Sequence, residues 1–145
     1  MTRHVLTARV YYEDTDAGGV MYHAQYLAFA ERGRTEALRA LGVPARALLD
    51  GHGLAFVVAG LSVTYRRPLR LDDEAVVATW LEQRGHARLR LGQSLSRAGA
   101  DGVAASLSVT LACVRAGDFR PARIPPPWAA AISTLVETDS EHFVA

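Results

Sequence analysis

At 145 residues, half of them hydrophobic, the chain has the length of one ordinary domain and enough apolar content for a packed core, which excludes an intrinsically disordered chain. A net charge of +1 excludes a protein held to nucleic acid by its overall electrostatics. All 16 basic residues are arginine, a bias that suits phosphate recognition and follows as readily from a GC-rich genome.

The chain starts Met1-Thr-Arg-His-Val-Leu6, without the apolar segment of a secretory leader. Residues His4 to Tyr12, rich in β-branched and aromatic side chains, predict a first strand. Glu13-Asp-Thr-Asp-Ala-Gly-Gly19 is polar and glycine-containing and reads as a loop. From His23 to Leu41 the apolar period becomes helical. Leu27, Ala30, Arg34, Ala37, Leu38 and Leu41 share a face, widened by Tyr26 and Phe29, while Ala28, Glu31, Arg32, Thr35 and Arg39 lie opposite. Arg32 and Glu36 stand at i,i+4, the spacing of a supporting ion pair. Gly42 and Pro44 end this helix, and a short second helix over Ala45 to Leu49 stops at Gly51-His-Gly53.

The rest reads as β. Leu61 to Arg66 alternates apolar and polar, and Pro68 with Leu71-Asp-Asp73 makes a turn before a strand over Glu74 to Glu82. Ala87 to Leu91 alternates again, and Ala98-Gly-Ala-Asp-Gly102 closes a hairpin. In the last strand Val103, Ala105, Leu107, Val109, Leu111 and Cys113 alternate with Ala104, Ser106, Ser108, Thr110 and Ala112, placing the odd positions inside. Prolines from Pro121 to Pro127 end the sheet before a terminal helix over Trp128 to Glu137. One long amphipathic helix against antiparallel strands is an α+β design, expected as a single domain over residues 1–145. Strands of this length leave edges to cover, so a homo-oligomer is expected.

Several chemistries find no motif. Gly60-Leu-Ser-Val-Thr64 and Gly92-Gln-Ser-Leu-Ser96 both lack the second glycine of a serine-hydrolase elbow. No phosphate-binding glycine loop occurs, and His4, His23, His52, His86 and His142 form no pair at metal-ligand spacing, so neither cofactor nor metal is expected. The lone Cys113 sits on the inward face of a strand and reads as a core residue in a reducing compartment. The longest apolar run, Leu54 to Leu61, falls far short of the roughly 20 residues a membrane-spanning helix needs, so a soluble, cytoplasmic protein is expected.

What remains is the acidic, glycine-containing segment between first strand and long helix. It reads either as a capping loop, with acids complementing the helix dipole, or as a catalytic loop. On the second reading a carboxylate lies near unpaired helix N–H groups that can stabilise an oxyanion. Tyr12-Glu-Asp-Thr-Asp-Ala-Gly-Gly-Val-Met-Tyr-His23, with Tyr26-Leu27, Phe29, Glu31-Arg32 and Arg34-Thr35-Glu36, resembles the signature of the hotdog-fold thioesterases of the 4-hydroxybenzoyl-CoA type. Within them it is most similar to the acyl-CoA thioesterases associated with the bacterial Tol-Pal envelope system. The likeness continues through Ala55-Phe-Val-Val58, Arg67-Pro68, Leu71-Asp-Asp73 and Pro121-Ala-Arg-x-Ile-Pro125.

This resemblance implies a hotdog fold, a long central helix wrapped by a five-stranded antiparallel sheet. It implies a homodimer or homotetramer with the site at a subunit interface, and an acyl-CoA substrate. Asp16 takes the place of the catalytic aspartate, as nucleophile or general base, with Gly19, Tyr22 and His23 positioning the substrate or polarising its carbonyl. His23 is alternatively an ordinary residue of the first helical turn. Glu13 and Asp14 are read as structural or solvated loop acids. Arg66, Arg67, Arg70, Arg88 and Arg90 are candidates for the phosphates of coenzyme A, none singled out. The alternatives are a hydrolase of aromatic-CoA or acyl-carrier-protein thioesters, and a non-enzymatic partner of envelope or lipid-synthesis proteins.

Overall fold

The protein is described from a computed structural model covering residues 3–137. His142, among the histidines considered above, lies outside the described residues. The elements in chain order are β1 (His4–Arg9), α1 (His23–Ala40), α2 (Ala45–His52), β2 (Leu54–Tyr65), β3 (Glu74–Arg84), β4 (Arg88–Arg97), β5 (Ala105–Arg115) and α3 (Pro126–Ile132). A single 3-10 turn, Tyr12–Asp14, follows β1, so the first strand is shorter than its β-branched run suggests. Conversely β2 begins at Leu54, seven residues before its alternation becomes visible. Its first half, Leu54 to Val58, is uniformly apolar and carries no period-2 signal. The terminal helix is shorter than expected and ends at Ile132.

All strands pair antiparallel, in the order β1-β3-β4-β5-β2. The registers follow side-chain alternation. Val77 faces Leu95, Thr79 faces Gln93, and Leu91 faces Val109, all pointing to the helix side. The odd positions of β5 from Ala105 to Cys113 are buried, as the sequence pattern requires. Cys113 is fully buried, and burial pushes its thiol pKa up, as for an unreactive core thiol.

Helix α1 lies across the inner face of the sheet. Its innermost stripe is Tyr26, Phe29, Ala30, Gly33 and Ala37, whereas Leu27, Leu38 and Leu41, on the same predicted face, are only half-buried. The axis of contact is therefore rotated toward Gly33. A Cβ there would stand 2.5 Å from Cγ1 of Val77. Glycine in a helix interior costs about 1 kcal/mol against alanine, and here it permits the close approach of α1 to β3. Beneath it runs a buried polar seam. The Gln93 side-chain amide donates to the Ala30 carbonyl (2.8 Å) and to Thr79 Oγ1 (2.9 Å), and its oxygen accepts from Arg34 (3.2 Å). The expected Arg32–Glu36 pair is replaced. Glu36 pairs with Arg39, and the Arg32 guanidinium lies 5.2 Å from the Phe29 ring centre.

Gly42 (φ +80°) closes α1, and Pro44 opens α2 in extended conformation, as the sequence predicts. Gly53, also left-handed, caps α2 and leads into the edge strand β2. No helix among the described residues is long and apolar enough to cross a membrane.

Candidate active site

The segment from Val10 to His23 joins the edge strand β1 to the start of α1. Val10 is fully buried, and its backbone exchanges hydrogen bonds with Asp72 and Asp73, anchoring the start of the segment. Asp14 is 4% exposed. Its carboxylate accepts the Tyr11 backbone N–H (2.9 Å) and the Gln25 side-chain N–H (2.8 Å), while its carbonyl accepts the Tyr22 N–H (2.8 Å). Asp14 thus ties the 3-10 turn to the first turn of α1, a structural role in which each carboxylate oxygen has a partner.

Asp16 is in the opposite situation. Thr15 and Met21 bridge as antiparallel partners, and Asp16 to Gly19 forms the tight turn between them. The Asp16 N–H donates to Val20, the Gly19 N–H donates back to the Asp16 carbonyl (3.1 Å), and Gly19 sits at φ +79°. That left-handed backbone is why glycine is needed there. One Asp16 carboxylate oxygen accepts the Gly18 N–H (2.8 Å), and the other has no partner among the described residues. The side chain stands exposed at the start of the turn. The turn is held rigidly: the Met21 N–H donates to Leu69 (2.6 Å), Val20 bridges Arg70, and the Tyr26 hydroxyl accepts the Leu69 N–H (2.9 Å). Burial raises the Tyr26 pKa, partly opposed by that hydrogen bond.

Directly after the turn comes the N-terminus of α1. Tyr22 is its extended N-cap residue and provides no side-chain cap, and no acidic residue occupies the first turn. The N–H groups of His23 and Ala24 meet no acceptor among the described residues, so the positive end of an 18-residue helix is left open. The His23 ring is exposed and lies 4.5 Å from that of Tyr22. Its carbonyl accepts the Tyr65 hydroxyl (2.7 Å), and Tyr65 meets Tyr26 edge-to-face at 5.1 Å. Tyr65 and Leu69 escape a reading of the sequence because they reach the site from more than forty residues away, with no local pattern to mark them.

The sequence-predicted residues therefore fall into two adjoining groups. Asp16 and Gly19 form the turn, and Tyr22 and His23 form the helix start. The arginine candidates do not converge. Arg67 and Arg70 line a cleft of about 280 Å³ beside the Val20–Arg70 bridge, with Asp73 and Asp101 among its walls. Arg90 lies on the far face of the sheet, 3.6 Å from Glu82, and shares a separate cleft with Arg88. No group of three or more His, Cys, Asp or Glu side chains placed to hold a metal ion occurs among the described residues.

A five-stranded antiparallel sheet wrapped on one long helix, with a carboxylate turn before the uncapped helix start, defines the hotdog class. The chain belongs to the thioesterase-like superfamily, whose family model matches residues 10–132. It is 42% identical over 127 residues to the acyl-CoA thioesterase YbgC of Haemophilus influenzae, covering 88% of this chain and 92% of that one. It is 55% identical to the acyl-CoA thioester hydrolase YbgC of Escherichia coli O157:H7 over 71 residues, about half of each chain (49% and 52%). Among solved structures, a probable thioesterase from Bartonella henselae superposes with a TM-score of 0.80 at 33% identity, covering 85% of this chain and 99% of that one. The 1,4-dihydroxy-2-naphthoyl-CoA thioesterase Slr0204 from Synechocystis shares the fold at a TM-score of 0.84 and 21% identity, covering 91% and 96% of the two chains.

Proposed function

We propose that this protein hydrolyses acyl-CoA thioesters to the free acid and coenzyme A, with Asp16 as the catalytic carboxylate. The observation that carries the reading is the pairing of an exposed, half-satisfied carboxylate with the open, uncapped start of α1. Membership of the thioesterase-like superfamily and the named acyl-CoA thioesterase relatives support it.

The thioester oxygen accepts hydrogen bonds from the free N–H groups at His23 and Ala24, which strengthen as the carbonyl becomes tetrahedral. Loss of a single donor of this kind costs about 3 kcal/mol in other enzymes. Gly19 holds the turn, and Tyr22 and His23 line the approach to the carbonyl. Asp16 acts in one of two ways. As nucleophile, its oxygen bonds to the thioester carbon, the C–S bond breaks to release coenzyme A thiolate, and water cleaves the resulting anhydride. As general base, it takes a proton from water while the water oxygen attacks the same carbon, and the C–S bond then breaks to release coenzyme A thiolate, which takes up that proton. Single turnover in heavy-oxygen water identifies the anhydride route when label enters the Asp16 side chain, which happens when water attacks the aspartyl carbonyl of the anhydride; attack at the acyl carbonyl labels the product acid, as the general-base route does.

A homodimer completes the reading. β2 is an edge strand of 12 residues whose Val58, Leu61 and Tyr65 are 53%, 44% and 46% exposed, and a second copy pairing there covers an open edge beside the site.

The test is thiol release from a panel of short, long and aromatic acyl-CoAs and acyl-carrier thioesters by the wild-type protein and Asp16→Asn. Turnover that falls about 1,000-fold in the variant supports the assignment. Near-normal turnover by a folded Asp16→Asn protein overturns it.

A further inference from the structure

Exposed apolar side chains follow the open edge of the sheet from end to end. Tyr22 and Tyr65 stand open at the start of α1, Leu61 and Val58 follow along β2, and Leu49 of α2 lies beside Val58. At the far end of β2 stands Phe119, 67% exposed. Its backbone is left-handed (φ +59°), a conformation that residues other than glycine rarely adopt. The turn that presents it is braced. The Phe119 N–H donates to the Arg115 carbonyl (2.8 Å), the Arg115 N–H donates to the Arg120 carbonyl (2.9 Å), and the Asp118 carboxylate accepts the Arg120 N–H (3.1 Å). The Ala116 N–H donates to the Gly53 carbonyl (2.9 Å), which fixes this turn next to the first residue of β2. A large apolar ring is thus held rigidly in water, against backbone preference, and finds no cover among the described residues.

Two-fold pairing of β2 with a second copy brings the two ends of this edge together. β2 spans Leu54–Tyr65, so an antiparallel partner in full register sets Tyr65 of one copy opposite Leu54 of the other. The turn carrying Phe119 is bonded to Gly53, one residue beyond, and neighbouring strands stand about 5 Å apart. It therefore arrives beside Tyr65, whose hydroxyl donates to the His23 carbonyl at the helix start. Such an interface is isologous: each copy gives a Phe119 turn and receives one.

We propose that Phe119 of the partner subunit completes the site, packing on Tyr65 and Tyr22 at the mouth through which the thioester reaches Asp16 and the His23 N–H. Seated there, the ring covers tyrosine surface that is otherwise open to water and narrows the approach to the carbonyl. This rests on the thioesterase and homodimer reading and deepens it by naming the residue that the second copy supplies.

Cross-linking tests the placement without any need for turnover. Within one chain Tyr65 and Phe119 lie at opposite ends of β2, about 30 Å apart, so a link between them joins two chains. The full chain carrying Tyr65→Cys and Phe119→Cys, treated with a short bis-maleimide, is expected to run as a covalent dimer on a denaturing gel. Each single variant is expected to run as a monomer, and the natural Cys113 is fully buried. No more covalent dimer from the double variant than from the single ones overturns the proposal, as does a wild-type protein that sediments as a monomer. Kinetics test the role. Phe119→Gly removes the ring and suits the left-handed turn, so the fold is retained. Its kcat/KM for acyl-CoA is expected to fall about tenfold. A purified heterodimer of Phe119→Gly and Asp16→Asn subunits has one site with both groups intact, and is expected to regain about half the wild-type rate. Unchanged kcat/KM in Phe119→Gly, or a heterodimer no more active than Phe119→Gly, overturns the assignment of the ring to the partner's site. If no thioester is cleaved, the hydrolase reading fails separately and cross-linking alone decides.

Discussion

Asp14 and Asp16 stand two residues apart and are treated in opposite ways. Asp14 is buried, and its carboxylate accepts two hydrogen bonds that lock the 3-10 turn to α1. Asp16 is exposed, with one oxygen tied to the backbone of its own turn and the other unengaged. The same contrast runs through the wider regions around them. Where α1 meets the sheet, polar atoms are matched, as at Gln93, and volume is trimmed to fit, as at Gly33. In front of α1, donors and an acceptor are left open. A group that is already satisfied stabilises the fold. A group left unsatisfied on a rigid frame is available to a substrate, at some cost in stability.

Variants at the two acids break or sharpen this comparison. Asp16→Asn is expected to lower turnover about 1,000-fold while leaving the unfolding midpoint close to wild type. Asp14→Ala is expected to do the reverse in kind, losing about 1.5–3 kcal/mol of stability because two part-buried N–H groups, of Tyr11 and Gln25, lose a charged acceptor. Urea unfolding and thiol release, measured on both proteins, read the two effects. If Asp14→Ala abolishes turnover at unchanged stability, the roles assigned to the two residues are exchanged.

At the buried seam, Gly33→Ala sets a gain of about 1 kcal/mol in helix propensity against overpacking that costs about 1–3 kcal/mol. The added Cβ meets the β-branched Val77 at 2.5 Å with Gln93 at 3.3 Å and Thr79 at 3.4 Å on its other sides, so the net effect is destabilising. A stabilised Gly33→Ala protein in the same urea experiment would show that α1 can lift from β3.

The pH dependence tests the clamp between Tyr26 and Leu69. The folded-state pKa of Tyr26 is raised above its ordinary value of 10.0, so its protonated form is favoured by folding. That stability is fully present below pH 10 and is lost as pH rises through the higher folded value. Tyr26→Phe should lose this alkaline component of unfolding, together with the hydrogen bond to Leu69, in a pH series of melting curves. The smallest effect is expected at the exposed Arg46–Asp50 pair on α2, where Arg46→Ala shifts stability by under about 0.5 kcal/mol.

Most of the architecture was legible because its signals are local and periodic. The change from period 2 to period 3.6 at His23, the Gly42–Pro44 stop and the alternation of β5 each correspond to an element in place. The misreadings share a physical cause. Leu54 to Val58 belongs to β2 without alternating, because an apolar run reads the same in either state. Arg32 prefers the Phe29 ring, and Glu36 prefers Arg39, because several surface partners lie within reach of any long side chain.

The segment Tyr12 to His23 pointed to the thioesterase-like family through its residue types and order, and Asp16 and Gly19 could be singled out without coordinates. Sequence thus determined the elements, their order and the segment that carries the proposed chemistry. Only the tertiary structure decided that Asp14 turns inward and Asp16 outward. It also brought Tyr65 and Leu69 to the helix start and aimed Arg34 by Gln93. Periodicity is a property of neighbouring residues, whereas orientation and partnership depend on contacts between strands and helices distant in the chain. The pleat and register of a folded sheet create those contacts, and no local pattern encodes them.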